Sequence, residues 1–70
     1  MGDRMLLRII MEEMVRSPSR QAEGWEVRRL YGPGFDAAFG ELVRLGYIAR
    51  NSMHGHIMLT AAGLDAARDV

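Results

Sequence analysis

The 70-residue chain carries nine basic and nine acidic residues, has no cysteine and is 49% hydrophobic. This length holds one hydrophobic core, so we expect a single domain over residues 1–70 without a separate catalytic or ligand-sensing domain. The balanced charge excludes a general attraction to nucleic acid, and the lack of cysteine excludes disulfides and thiolate sites and fits a cytoplasmic location.

The first predicted helix runs from Asp3 to Arg16. Apolar residues recur there at three- and four-residue spacing with no glycine or proline between them, and Pro18 marks the end. The apolar run is too short and too charged for a signal or membrane-spanning segment, so no membrane contact is expected. Its main apolar arc consists of Leu6, Leu7, Ile10, Met11 and Met14.

A second apolar patch lies on the same helix, outside this main arc. Met5 and Ile9 are one turn apart, and Val15 follows further along. A single core does not explain such a patch, so these three residues are candidates for a homodimer contact. The alternative is a partly exposed apolar pair of the kind that most protein surfaces carry.

The next two helices are separated by strong breaking signals. The segment from Ser17 to Gly24 is predicted to be a connector, although Ser17 and Pro18 could equally open a helix as cap and first residue. A short second helix over residues 25–31 ends at the glycine and proline of residues 32–34. The third helix starts at Phe35 and ends before Gly46. Its predicted inward residues are Ala38, Phe39, Leu42 and Leu45.

The rest of the chain predicts a β-hairpin and a last helix. After Tyr47 the sequence becomes polar, and Ile57 and Leu59 then alternate with their neighbours as in a strand. Thr60 is suited to cap a short final helix through its hydroxyl group. The predicted fold is mainly α with a small β-hairpin, in the order helix, helix, helix, strand, strand, helix.

The stretch ELVRLGYIAR, followed after a polar loop by GHIMLTAAGLDAA, resembles winged helix-turn-helix regulators of the MarR and PadR kinds. In those proteins the third helix ends in Leu-x-x-x-Gly-(aromatic or Leu)-Ile, a two-stranded wing follows, and Leu-Thr-x-x-Gly opens the next helix. The sequence GWEV is similar to the PadR-type GYE(I/L) that opens the second helix. The start MGDRMLLRIIMEEM and the ending more weakly resemble small uncharacterised prophage winged-helix proteins. The matching residues are Leu42, Gly46, Tyr47, Ile48, Leu59, Thr60 and Gly63.

This resemblance implies a transcriptional regulator that binds double-stranded DNA with its third helix in the major groove. That helix departs from the family pattern, because it offers Asp36 and Glu41 where basic residues are usual. We expect Asp36 to favour the helix start and Glu41 to pair with Arg44. Arginines before and within the second helix, Arg20 included, would contact phosphates, and the wing would reach the minor groove. The candidate DNA-binding residues are Arg28, Arg29, Arg44, Arg50, Asn51, Ser52 and His54.

The alternative function is a winged-helix module for protein–protein interaction without DNA binding. Ala37 and Gly40 leave a smooth strip on the third helix, which suits contact with a protein better than readout of bases. His54 and His56 are one residue apart, but no cysteine or suitably spaced carboxylate completes a metal site. We therefore expect no metal, no cofactor and no catalytic residue.

Overall fold

The computed structural model describes residues 2–51 and 55–68, which form helices packed on a small antiparallel sheet. The class predicted from the sequence, mainly α with a hairpin between the third and last helices, is confirmed and is compatible with a winged helix. The elements are α1 Gly2–Arg16, β1 Ala22–Glu23, α2 Gly24–Tyr31, α3 Phe35–Arg44, β2 Ile48–Asn51, β3 His56–Leu59 and α4 Ala61–Arg68.

The core forms around α1, which packs against the three other helices and the sheet. Its apolar arc is buried as predicted, except that Met11 is partly exposed. The prediction that Leu45 faces inward is wrong, because α3 ends at Arg44 and Leu45 lies in the following turn with 42% of its surface exposed. The core residues are Leu6, Leu7, Ile10, Met14, Ala22, Val27, Phe35, Leu42, Ile48, Ile57, Leu59 and Ala67.

The sheet has a third strand that the sequence pattern did not predict. Its order is β1-β3-β2, with Ala22 opposite Ile57 and Ile48 opposite Leu59. Residues 17–20 turn between α1 and β1, so no helix opens at Ser17. The predicted connector Ser17–Gly24 is too long, because Ala22 and Glu23 form β1 and Gly24 begins α2. A strand of two residues is too short to show alternation, so the periodicity of the sequence gives no signal for it.

Thr60 joins the last helix to the turn after α3. Its hydroxyl donates to the carbonyl of Gly46 at 2.8 Å and accepts from the backbone N–H of Gly63 at 3.1 Å. The predicted cap is therefore confirmed, and the same side chain also holds the turn. Gly46 itself has φ +79°, a left-handed conformation that glycine adopts without steric cost.

Candidate nucleic-acid interface

Arg28 connects α2 to the beginning of α3. The two helices are joined by a turn in which Gly32 and Gly34 have φ values of +89° and +90°. Across this turn, Nη1 of Arg28 lies 3.0 Å from Oδ1 of Asp36. The same guanidinium lies 4.8 Å from the centre of the Phe35 ring, so an ion pair and a cation–π contact both hold it beside the N-terminus of α3.

Arg29 and Trp25 form a second cluster on α2. The Arg29 guanidinium lies 5.7 Å from the centre of the indole ring and 3.9 Å from a carboxylate oxygen of Glu26. The indole Nε1 donates a 2.6 Å hydrogen bond to Glu23, yet Trp25 is 62% exposed. The sequence assigns Trp25 to the second helix and to the PadR-like GWEV stretch but not to a pair with Arg29. The four-residue spacing between the two residues is the signal that predicts this pair.

The first half of α3 presents small and acidic side chains on its outer surface. Asp36, Ala37 and Gly40 are exposed, and none of them carries a donor that could reach a base edge. Further along, both Arg44 Nε and Nη2 donate to the Glu41 carboxylate, the Nε bond measuring 3.2 Å. These hydrogen bonds and the carboxylate charge raise the pKa of Arg44, and the predicted Glu41–Arg44 pair is confirmed.

The three predicted DNA-binding arginines whose side chains the structure describes are all paired with carboxylates. Arg28 pairs with Asp36, Arg29 with Glu26 and Arg44 with Glu41, which makes the combined charge of these six groups zero. The pairs lie at the surface, where an ion pair contributes about 0–1 kcal/mol to stability. Each arginine can therefore exchange its carboxylate for another anion at little cost.

The wing, defined as β2 and β3, holds two further predicted residues. Arg50 and Asn51 lie in β2 opposite Ile57 and His56 of β3. Ser52 and His54 fall outside the residues that the structure describes, so their roles stay predictions. Within residues 2–51 and 55–68 no three or more histidine, aspartate or glutamate side chains gather in a way that could hold a metal ion.

The predicted homodimer patch on α1 is only partly assembled. Met5 and Val15 are 52% and 71% exposed, whereas Ile9 is partly buried and packs against the core. Ten residues separate Met5 from Val15, which is about 15 Å along a helix. Between them Arg8 pairs with Glu12 at 3.5 Å, so charged side chains interrupt the patch. The dimer contact stays a prediction.

Glu26 also links α2 to α1 through Glu13. Burial, then a hydrogen bond with Glu26 and the negative charge of Glu26, raise the pKa of Glu13, while Arg16 at 3.2 Å opposes the shift. When folding raises the pKa of a carboxyl group, protonation of that group stabilises the folded state. That contribution is complete below the unfolded pKa and is lost as the pH rises through the folded pKa.

Replacing Glu13 with glutamine is expected to reduce this pH dependence. Glu13→Gln keeps a side chain able to hydrogen-bond to Glu26 and removes a partly buried charge, so its gain in stability over the wild type should grow as the pH rises. Urea denaturation at several pH values from about 4, near the ordinary pKa of a carboxyl group, up to about 7.5 measures this. Glu12→Gln removes only the weakest of the influences that raise the pKa of Glu13, so as a control it should reduce the pH dependence much less. A constant difference for Glu13→Gln would contradict the assignment.

Two general findings bear on function. No helix of the described part of the chain is both long and apolar enough to cross a membrane. Comparison with models of known protein families, with curated proteins and with solved structures gives no match to this chain. The function must therefore be argued from the surface chemistry described above.

Proposed function

We propose that the chain is a small DNA-binding protein of the winged helix-turn-helix kind that acts in the cytoplasm as a transcriptional regulator. One observation carries the proposal: Arg28 and Arg29 are consecutive exposed residues of α2, and each is held by a weak surface ion pair and a contact with an aromatic ring. In this arrangement α3 enters the major groove while the α2 arginines contact phosphates beside it.

Binding proceeds by exchange of ion-pair partners. A phosphate accepts the hydrogen bonds that Asp36 and Glu26 accept in the free protein, and counterions released from the DNA contribute to affinity. The small side chains of Ala37 and Gly40 let α3 approach the base edges closely, with Arg44 at its far end. Arg50, which lies in β2, contacts the neighbouring backbone or minor groove in this proposal.

The carboxylates limit this affinity. After exchange, Asp36 and Glu41 remain within a Debye length of the phosphates, which is about 8 Å at physiological ionic strength. Their repulsion opposes binding, and Ala37 and Gly40 contribute no hydrogen bonds to bases. We therefore expect weak binding that depends strongly on salt and little on base sequence for a single copy of the chain.

The test is titration of a generic duplex at a series of salt concentrations. Arg28→Ala combined with Arg29→Ala should flatten the plot of log affinity against log salt by about two units, because two phosphate contacts are lost. Arg8→Ala combined with Arg16→Ala is the matched control, since it removes two exposed, carboxylate-paired arginines from α1 and should leave the slope unchanged. Absence of binding at low salt, or equal slopes for both variants, would refute the proposal.

A second candidate function is protein–protein interaction through the same face. It is favoured by Trp25, an exposed aromatic side chain that Glu23 and Arg29 hold in place, since tryptophan and arginine dominate the binding energy of protein interfaces. Ala37 and Gly40 on α3 offer a further exposed surface without bulky side chains. If this chain does not bind the duplex at low salt, that result would favour the protein–protein function over DNA binding.

A further inference from the structure

An apolar groove of about 420 Å³ lies between α1, β3 and α4. None of the residues that line it is among those that the proposed function places on DNA, which lie on α2, α3 and β2. Its apolar walls come from three methionines, one valine and two leucines. They are Met11, Met14, Met58, Val15, Leu59 and Leu64.

The groove has the composition of a surface that accepts a macromolecular segment. Methionine side chains are flexible and polarisable, so they adjust to varied apolar partners. Val15 at its edge is 71% exposed, and Met11, Met58 and Leu64 are only partly buried. A contiguous apolar groove is uncommon on a free surface. Because one edge of the groove is open, a small ligand bound there would stay largely in contact with water. A segment of a macromolecule would cover the groove more completely.

Two arginines border this groove and define the charge of its partner. Arg20 makes no ion pair with any residue among 2–51 and 55–68, and Arg68 has only Asp65 at 3.9 Å. Arg20 also has φ +62°, a left-handed conformation that is strained for a residue with a side chain and that often occurs at ligand sites. An apolar surface between two available cations is complementary to an apolar segment flanked by carboxylates.

We propose that this groove binds an apolar helical segment of a partner protein whose flanking aspartate or glutamate residues pair with Arg20 and Arg68. Laying an amphipathic helix into an apolar groove is a common mode of peptide recognition. The charge argues against a second copy of this chain, because a two-fold contact across the groove would bring the two arginines of each copy together. The inference does not depend on DNA binding, which is proposed for other residues.

The test uses the full chain and two labelled peptides of about 14 residues, roughly 21 Å long as helices. Both carry leucine on one face; one has glutamate and the other lysine on the flanks. By fluorescence anisotropy, the glutamate peptide should bind at least about tenfold more tightly than the lysine peptide. Equal affinities, or no binding of the glutamate peptide, would overturn the proposal.

Variants locate the binding to the groove. Val15→Glu should abolish binding of the glutamate peptide and still fold, because Val15 is largely exposed. Arg20→Gly removes one cation, and glycine suits the left-handed backbone at this position. This variant should bind the glutamate peptide more weakly than the wild type does and the lysine peptide equally well. Arg8→Ala, away from the groove on α1, is the control for charge and should bind as the wild type does. Circular dichroism verifies that each variant is folded.

Two outcomes with these variants would count against the proposal. Unchanged binding by Val15→Glu would place the peptide elsewhere on the surface. Sedimentation that shows a dimer of the wild type, dissociated by Val15→Glu, would identify a second copy as the occupant. The duplex titration of Val15→Glu should match the wild type in either case, which keeps this test independent of the proposed DNA binding.

Discussion

Gly63→Ala is expected to lower the free energy of unfolding by about 2–3 kcal/mol. Gly63 is buried in α4 where the helix crosses the sheet, and a Cβ atom there would overlap the carbonyl oxygen of Tyr47 and lie 3.2 Å from Cβ of Leu59. The carbonyl cannot easily move aside, because it accepts the 3.0 Å hydrogen bond from the N–H of Thr60. The methyl group must therefore push α4 away from the sheet.

This loss is large for so small a domain. Domains of this size are stable by roughly 4–10 kcal/mol, so the melting temperature should fall by about 10–20 °C in a circular-dichroism melt. Gly40→Ala is the matched control, since Gly40 is also inside a helix but nothing lies within 4 Å of the position that its Cβ atom would take. That change should raise stability by about 0.5–1 kcal/mol through helix propensity. A Gly63→Ala variant that melts at or above the wild type would show that α4 packs less closely.

Gly63 illustrates what local pattern can and cannot predict. Its place in the motif that opens the last helix is visible in the sequence, but its physical role depends on Tyr47, which belongs to a distant turn. The helices are predictable because apolar residues repeat at helical spacing over several turns. The error at Leu45 arises where that repeat continues past the end of α3, which the sequence marks only at Gly46.

The candidate DNA-binding surface is predictable to a similar extent. The Glu41–Arg44 pair follows from three-residue spacing within one helix, and it is present. The Arg28–Asp36 pair joins two helices across a turn, so no spacing rule predicts it. Because of such pairs, the arginines predicted to contact phosphates already have carboxylate partners. The proposed binding to DNA therefore requires exchange of these partners rather than free positive charge.

The apolar groove is not predictable from local pattern, because its walls come from three separate elements. By its spacing Met11 belongs to the core arc of α1, and Met58 is only an alternating residue of a strand. Arg20 precedes α2 and on sequence grounds joins the arginines predicted to contact DNA, whereas it borders the groove with Arg68. Only the packing of α1, β3 and α4 brings these side chains together.

Leu42→Ala is expected to have the largest effect on stability, a loss of about 2–5 kcal/mol in the free energy of unfolding. Leu42 is completely buried and is one of the core residues by which α3 is fixed to the rest of the domain. Truncation leaves a cavity that the surrounding helices can close only in part. Urea denaturation measures the change, provided that the slope with denaturant is the same in variant and wild type.

Leu45→Ala is the matched control and tests the orientation of α3 directly. Because Leu45 is 42% exposed, its truncation should cost no more than about 1 kcal/mol. The two leucines are three residues apart, so a rotated helix would reverse the order of their effects. If Leu45→Ala were the costlier change, Ala37 and Gly40 would no longer lie on the outer face of α3. Both functions proposed for that face would then lose the surface on which they depend.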